Sequence, residues 1–150
     1  MNKHESTASL VELVYVSVAS VDFTHQDLIE ILKIARKNNY LNDISGLLLY
    51  NNKGNFIQAI EGPEKAINLL FDKIKQDQRH DQVYQLAYRP ISKRCFADWQ
   101  MGFKLLDDVP MPEVQGFSEF MHQDANINHF VEHKNFALEL LDYFRKTNTN

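Results

Sequence analysis

Gln58 lies in the stretch Asn55-Phe56-Ile57-Gln58-Ala59-Ile60-Glu61-Gly62, between Gly54 and Pro63. These boundaries predict a short strand. Side chains alternate along a strand, so Phe56, Gln58 and Ile60 share one face. A primary amide between two large apolar neighbours brings two donors and two acceptor lone pairs to a core face, each needing a partner. One reading is a core glutamine satisfied by a neighbouring backbone group or a water, as most buried polar groups are. The other is an amide that addresses a ligand. Tyr15, Asn39, Gln58, Asp77, Arg79 and His80 are the polar groups predicted to converge on one apolar side. An amide can match the alternating donor and acceptor edge of a heteroaromatic ring, whereas an isolated carboxylate cannot. Lys73 and Asp77 are four residues apart and share one helical face. Lys73 would suit a phosphate; the plain alternative is an exposed helix lysine.

Other patterns carry less. His129-Phe130-Val131-Glu132-His133 matches H-x-x-E-H literally. Catalytic zinc needs a third protein ligand, and Glu139 is the sole glutamate after His133, so a surface helix is the better reading. Cys95 follows Lys93 and Arg94, which could lower its pKa, but it lacks the surroundings of a nucleophile and reads as a free structural cysteine. Asp107-Asp108 reads as a solvated turn, and there is no P-loop or G-x-G-x-x-G. No catalytic set emerges, and the chain is not expected to be an enzyme.

The elements that would position these groups follow from periodicity. Residues 10–17 are rich in Val and Leu and predict a first strand, with Val11, Leu13, Tyr15 and Ser17 on one face and Glu12 marking the face nearer solvent. Thr24-His25-Gln26-Asp27 resembles a capping box with Asp for Glu. It opens a helix whose buried stripe is Leu28, Ile31, Leu32 and Ala35 and which ends at Asn38-Asn39. Residues 44–50 are a second strand, 51–54 a hairpin turn, and the Gln58 stretch the third strand. A second helix starts at Pro63-Glu64, buries Ala66, Ile67, Leu70, Phe71 and Ile74, and fades into Asp77-Gln78-Arg79-His80. Residues 83–88 are a fourth strand.

This order predicts an α+β, ferredoxin-like βαββαβ sheet with both helices on one face and the first and third strands central. Tyr15 and Gln58 then fall within hydrogen-bonding reach. Residues 99–103 are a predicted fifth strand with Trp99, Met101 and Phe103 on one face; 107–112 are a linker. A short helix over 113–122 and a longer amphipathic one over 128–145 follow, the latter striped by Phe130, Val131, Ala137, Leu138, Leu141 and Phe144. Residues 147–150 are expected to fray.

A chain of 150 residues with 44% hydrophobic and 24% charged residues suits one globular domain. A formal net charge of −4, without a dense Lys/Arg cluster, argues against direct nucleic-acid binding. One cysteine excludes an intramolecular disulfide and a thiolate metal cluster. The polar N-terminus lacks a signal peptide's apolar core, and no run approaches the roughly 20 residues that span a bilayer. A soluble, cytoplasmic domain is expected. Aromatic residues at 11%, with ten Phe, favour a ring-shaped ligand or an interface.

Taken together, the motifs resemble a known family, the BLUF domains, blue-light sensors using FAD. The resemblance covers about residues 10–105. It rests on the first strand with Tyr15, Asn38-Asn39 followed by Ile44-Ser45-Gly46-Leu47-Leu48-Leu49-Tyr50, and Phe56-Ile57-Gln58-Ala59-Ile60-Glu61-Gly62. Asp77-Gln78-Arg79-His80 and Phe96-Ala97-Asp98-Trp99-Gln100-Met101 continue it. Ile57 stands for a common Phe, Ser45 for a common Thr and Gln100 for a common Ser.

The resemblance implies a flavin between the two helices: FAD, with FMN or riboflavin as shorter forms. Tyr15 matches the family's photoactive tyrosine, and Gln58 the glutamine between phenol and flavin. Asn39 would bond the pyrimidine edge with Asn38 nearby, and Ile31 and Ala35 would pack on the ring. Arg79 and His80 would lie by the other carbonyl side, and Lys73 and Asp77 by the ribityl and phosphate region. Met101 would also line the site and, with Trp99, relay the signal. Electron and proton transfer from Tyr15 and rearrangement of the Gln58 amide would switch hydrogen bonding to the flavin.

On this reading residues 1–106 are the photosensor core and 107–150 a C-terminal helical extension. A cyclase, phosphodiesterase or DNA-binding domain after the core is not expected. The expected output is a protein partner or self-association as a homo-oligomer, without membrane or nucleic-acid contact. The C-terminal helices are candidates for that surface, or cap the open face of the sheet. The rivals are an acylphosphatase-like hydrolase, for which Gly62-Pro63 supplies no anion-cradling loop, and a colourless ligand-binding module.

Overall fold

The computed structural model describes residues 9–97, 99, 101–109 and 114–147. Expectations for the polar N-terminus, Gln100, Glu113 and the C-terminal tail fall outside the described residues. Strands β1 (Leu10–Val18), β2 (Ser45–Tyr50), β3 (Asn55–Pro63), β4 (Tyr84–Ile91) and β5 (Gly102–Leu105) form one sheet in the order β4-β1-β3-β2-β5. β3 is antiparallel to β1 and β2, β4 is antiparallel to β1, and β5 is parallel to β2. This is the ferredoxin-like arrangement with a fifth strand added at the edge.

Helices α1 (His25–Leu41) and α2 (Glu64–Gln76) cover one face of the sheet. Helices α3 (Phe117–His122), α4 (Ile127–Glu132) and α5 (Lys134–Thr147) cover the other. β2 and β3 are thus buried on both sides, which explains their continuous apolar runs. Val11, Leu13, Tyr15, Leu48, Phe56 and Ile60 face α1 and α2, whereas Val14, Val16, Leu47, Leu49, Ile57 and Ala59 face α3–α5.

The Thr24–Asp27 capping box forms in both directions: Asp27 N–H donates to Thr24 Oγ1 at 3.1 Å and Thr24 N–H to Asp27 Oδ2 at 3.0 Å. α1 runs two residues beyond the predicted stop at Asn38-Asn39, to Leu41. Asn42 closes it, its amide donating to the Asn38 carbonyl at 2.8 Å, and Asp43 takes the left-handed conformation. The extension keeps Asn38 and Asn39 inside the last turn, where helical geometry fixes their side chains.

Glu12 was expected nearer solvent but is buried, because the C-terminal helices cap its face and Arg89 and Arg145 pair with it. The predicted helix over 128–145 breaks at His133 into α4 and α5. On one straight helix Phe130 and Phe136 would diverge by roughly 120°; the break brings both into the core against Phe120.

The predicted fifth strand also shifts. Pairing with β2 begins at Gly102, and Trp99 and Met101 precede it on opposite faces of the sheet. Trp99 stacks on Phe96 (ring centroids 5.9 Å, 15° between planes), its N–H donates to the Phe96 carbonyl at 2.9 Å, and its own carbonyl accepts from Gly46 N–H at 3.0 Å. Its indole lies over Gly102, where a Cβ would come within 2.4 Å of the ring. This turn rotates Trp99 away from the face it would share with Met101 in an extended strand.

Candidate functional site

Tyr15 of β1 and Gln58 of β3 are directly opposite in the antiparallel register, and Leu48 of β2 flanks Gln58 on the other side. The Tyr15 hydroxyl donates to Gln58 Oε1, and Gln58 Nε2 donates to Met101 Sδ at 3.1 Å. Gln58 is 7% exposed and Met101 2%. The amide is therefore satisfied by two side chains, Tyr15 and Met101. Burial pushes the Tyr15 phenol well above its ordinary pKa, and the Asp77 carboxylate adds to the rise. The phenol keeps its proton and donates it. A thioether can only accept, so Met101 holds the amide's NH2 toward itself and its carbonyl toward Tyr15.

This trio forms the floor of a cavity of about 280 Å³ between α1 and α2. Every residue expected to hold a ligand lines it: Tyr15, Ile31, Ala35, Asn38, Asn39, Gln58, Lys73, Asp77, Arg79, His80 and Met101. Trp99 does not; it lies beyond the sheet. Ile31 and Ala35 face the cavity one turn apart, and Asn38 and Asn39 follow on the next turn with Asn39 buried. Phe23, Leu28, Leu32, Ile34, Leu48, Phe56, Leu70 and Ile74 complete the wall. Leu28, Leu32, Leu70 and Ile74 were legible only as core stripe. Phe23 sits in a loop where no periodicity marks it.

At the α2 end, His80 Nε2 lies 2.5 Å from the Ile74 carbonyl, and Nδ1 lies 3.2 Å from Ser17 Oγ. A carbonyl only accepts, so Nε2 carries a proton; in the neutral ring Nδ1 is left to accept from Ser17. The His80 ring meets Tyr15 edge-on at 6.4 Å. Asp77 is gripped by Arg79, with Nη2–Oδ2 at 2.5 Å and Nε–Oδ1 at 3.0 Å, and these bonds hold its carboxyl down at about 2. Lys73, on the exposed side of α2, has no acidic partner among the described residues and is the free cation at the rim.

His129 lies on α4 and His133 caps it, with ring centroids 4.7 Å apart. No group of three or more His, Cys, Asp or Glu among the described residues could hold a metal ion. Cys95 is exposed, and burial of the thiol within its surroundings is the largest cause raising its pKa, opposite to the lowering its basic neighbours suggested. Asp107 is not merely solvated: its Oδ1 accepts from Asn52 N–H at 2.8 Å. Among the described residues no helix is long and apolar enough to cross a membrane.

The result is an apolar slot with amides on one side, a phenol–amide pair on its floor and a cation at its rim, chemistry that suits a flat heteroaromatic group bearing an anion. Residues 10–102 match the family model BLUF, sensors of blue-light using FAD. The chain belongs to the BLUF family: it is a blue-light photoreceptor, and its cofactor is FAD. The hydrolase and colourless-module alternatives are not favoured.

The chain is 38% identical over 95 residues to photoactivated adenylate cyclase subunit beta of Euglena longa, covering 63% of this chain and 11% of that protein. It is 32% identical over 98 residues to the blue light- and temperature-regulated antirepressor BluF of Escherichia coli (strain K12), covering 65% of this chain and 24% of that protein. The chain thus spans a quarter or less of the length of these relatives. The dark-state structure of the BLUF protein BlrB superposes with a TM-score of 0.76 at 26% identity, covering 93% of this chain and 98% of that one.

Proposed function

We propose that Tyr15, Gln58 and Met101 are the moving part of the photoreceptor and that α3–α5 are the surface its output partner reads. The observation that carries this is the continuous chain from the Tyr15 hydroxyl through the Gln58 amide to the Met101 sulfur on the cavity floor. The cavity fits the ring portion of FAD: about 280 Å³ is near the low end of ligand pockets, apolar on its broad sides, with the remainder of the dinucleotide left to the rim. Asn39 and Asn38 would meet the ring's polar edge, Ile31 and Ala35 its face, and Arg79 and His80 its far side. Asp77 is already engaged by Arg79, so Lys73 is the residue left for a phosphate.

Bound FAD supplies absorption of blue light and a transient electron acceptor. Tyr15 is the donor placed to meet that demand, and its hydroxyl proton is already directed at Gln58 Oε1. Once the amide turns, its NH2 faces the Tyr15 oxygen, which can accept as readily as donate. Oε1 then faces Met101, whose thioether has no proton to offer. The phenol tolerates either amide orientation and the thioether only one, so turning Gln58 releases Met101. Met101 is two residues from Trp99, which packs against the core beneath α3–α5. Release at the cavity floor thereby reaches the opposite face of the sheet, where a protein partner or a second copy would bind, in the cytoplasm.

The test is spectroscopic. Wild-type protein should be yellow and show a reversible red shift in blue light, and Gln58→Leu should bind flavin without that shift. A Gln58→Leu protein that still red-shifts refutes the mechanism, and a colourless wild type that cannot be loaded with flavin refutes the reading altogether.

A further inference from the structure

We infer that Arg36, outside the cavity, is a positioning residue for the photoswitch, holding Met101 where Gln58 can reach it. The inference rests on the role proposed above for the Tyr15–Gln58–Met101 chain.

Arg36 Nε donates to the Met101 carbonyl oxygen at 2.9 Å. Met101 lies just before β5, an edge strand paired, among the described residues, with β2 alone. On an edge, carbonyls that point away from the neighbour have no ladder partner, and a buried one needs another donor. Met101 is 2% exposed, and Arg36 reaches across from α1 to supply that donor. Other holds on this segment lie to either side of Met101, among them Gly46 N–H on the Trp99 carbonyl, Trp99 N–H on the Phe96 carbonyl, and the Gly102–Leu47 pairing. At Met101 itself two tethers are present among the described residues, Gln58 on the sulfur and Arg36 on the carbonyl.

The two tethers differ in kind. The Gln58 bond is the one a turned amide gives up. The Arg36 bond involves neither the amide nor the phenol, so it persists when the first is lost and keeps the sulfur near the position it must regain. Helix α1 also links this tether to the cavity: Ala35, Asn38 and Asn39 face inward, while Arg36, between them in sequence, reaches the edge strand. A displacement of α1 by a bound group is therefore felt at Met101.

The experiment compares full-length wild type, Arg36→Ala and Arg36→Lys, loaded with FAD, by the rate at which the red-shifted spectrum decays in the dark. Arg36→Ala should recover about three- to tenfold more slowly, the weight of one partly exposed hydrogen bond from a charged donor. Arg36→Lys, which retains a cationic donor, should restore most of the rate. A second readout needs no light: methyl NMR of the four methionines, in protein with and without FAD. The Met101 methyl should shift in Arg36→Ala, with Met121 unmoved. If Arg36→Ala does not fold, Arg36→Gln carries the methyl measurement. Wild-type recovery or an unmoved Met101 methyl in the variant, beside a normal wild-type red shift, overturns the inference alone. Absence of any red shift in the wild type overturns both it and the reading beneath it.

Discussion

Replacing Glu12 by Leu should loosen the C-terminal helices from the sheet by an amount the geometry bounds. The Glu12 side chain is 3% exposed on the face opposite the cavity and receives Arg89 Nε at 3.0 Å and Arg145 Nη2 of α5. Arg145 is itself 15% exposed, lies 5.4 Å over the Phe96 ring, and has a second partner in Asp142 at 2.6 Å. Its Nε is buried without a hydrogen-bond partner among the described residues. Removing one member of a buried pair costs about 3–5 kcal/mol because the other charge stays buried. Asp142 remains to Arg145 and Arg89 is largely exposed, so the cost drops to or just below the low end of that range, about 2–3 kcal/mol. With a urea slope of about 2 kcal/mol per molar, the midpoint should fall by about 1–1.5 M. Trp99, the single tryptophan, packs on the same core and reports the transition by its emission. Glu12→Leu/Arg145→Leu should return to within about 1 kcal/mol of wild type, since an apolar pair of similar volume often replaces a buried ion pair at little cost. Single variants that each lose under about 0.5 kcal/mol, or losses that simply add in the double variant, would refute the clamp.

Gly102→Ala should displace Trp99, because the new Cβ would lie 2.4 and 2.8 Å from indole carbons. The expected cost is about 1–3 kcal/mol with a shifted tryptophan emission, and unchanged emission would contradict the packing. The raised pKa of Tyr15 means that its contribution to stability is full below the unfolded value of about 10 and is lost as pH rises above it. Wild type should therefore lose stability relative to Tyr15→Phe above about pH 10, measured by urea titration at stepped alkaline pH.

Much of the site was legible because its elements are local. The capping box before α1, its stripe, and the alternation around Gln58 set which faces Tyr15, Gln58, Ile31 and Ala35 present, since period and face follow from backbone geometry alone. The element order then sufficed to put β1 beside β3. Residues recognised by family motif, such as Arg79 and His80, fell on the cavity wall for the same reason. The end of α1 was misjudged because Asn38-Asn39 can stop a helix as well as continue one, and Asn42 and Asp43 supplied the stop instead.

What the chain's order of residues determined by itself was the sheet, the two helices over it, and the amide facing a phenol beneath an apolar slot. Tertiary structure decided the rest, through contacts between residues far apart in sequence. Trp99 and Met101 part to opposite faces because Phe96 and Gly46 hold Trp99 in a turn rather than a strand. Glu12 is buried because Arg145, at the far end of the chain, comes back to pair with it. The amide orientation of Gln58 and the tether from Arg36 depend on where Met101 sits, and no local pattern fixes that position.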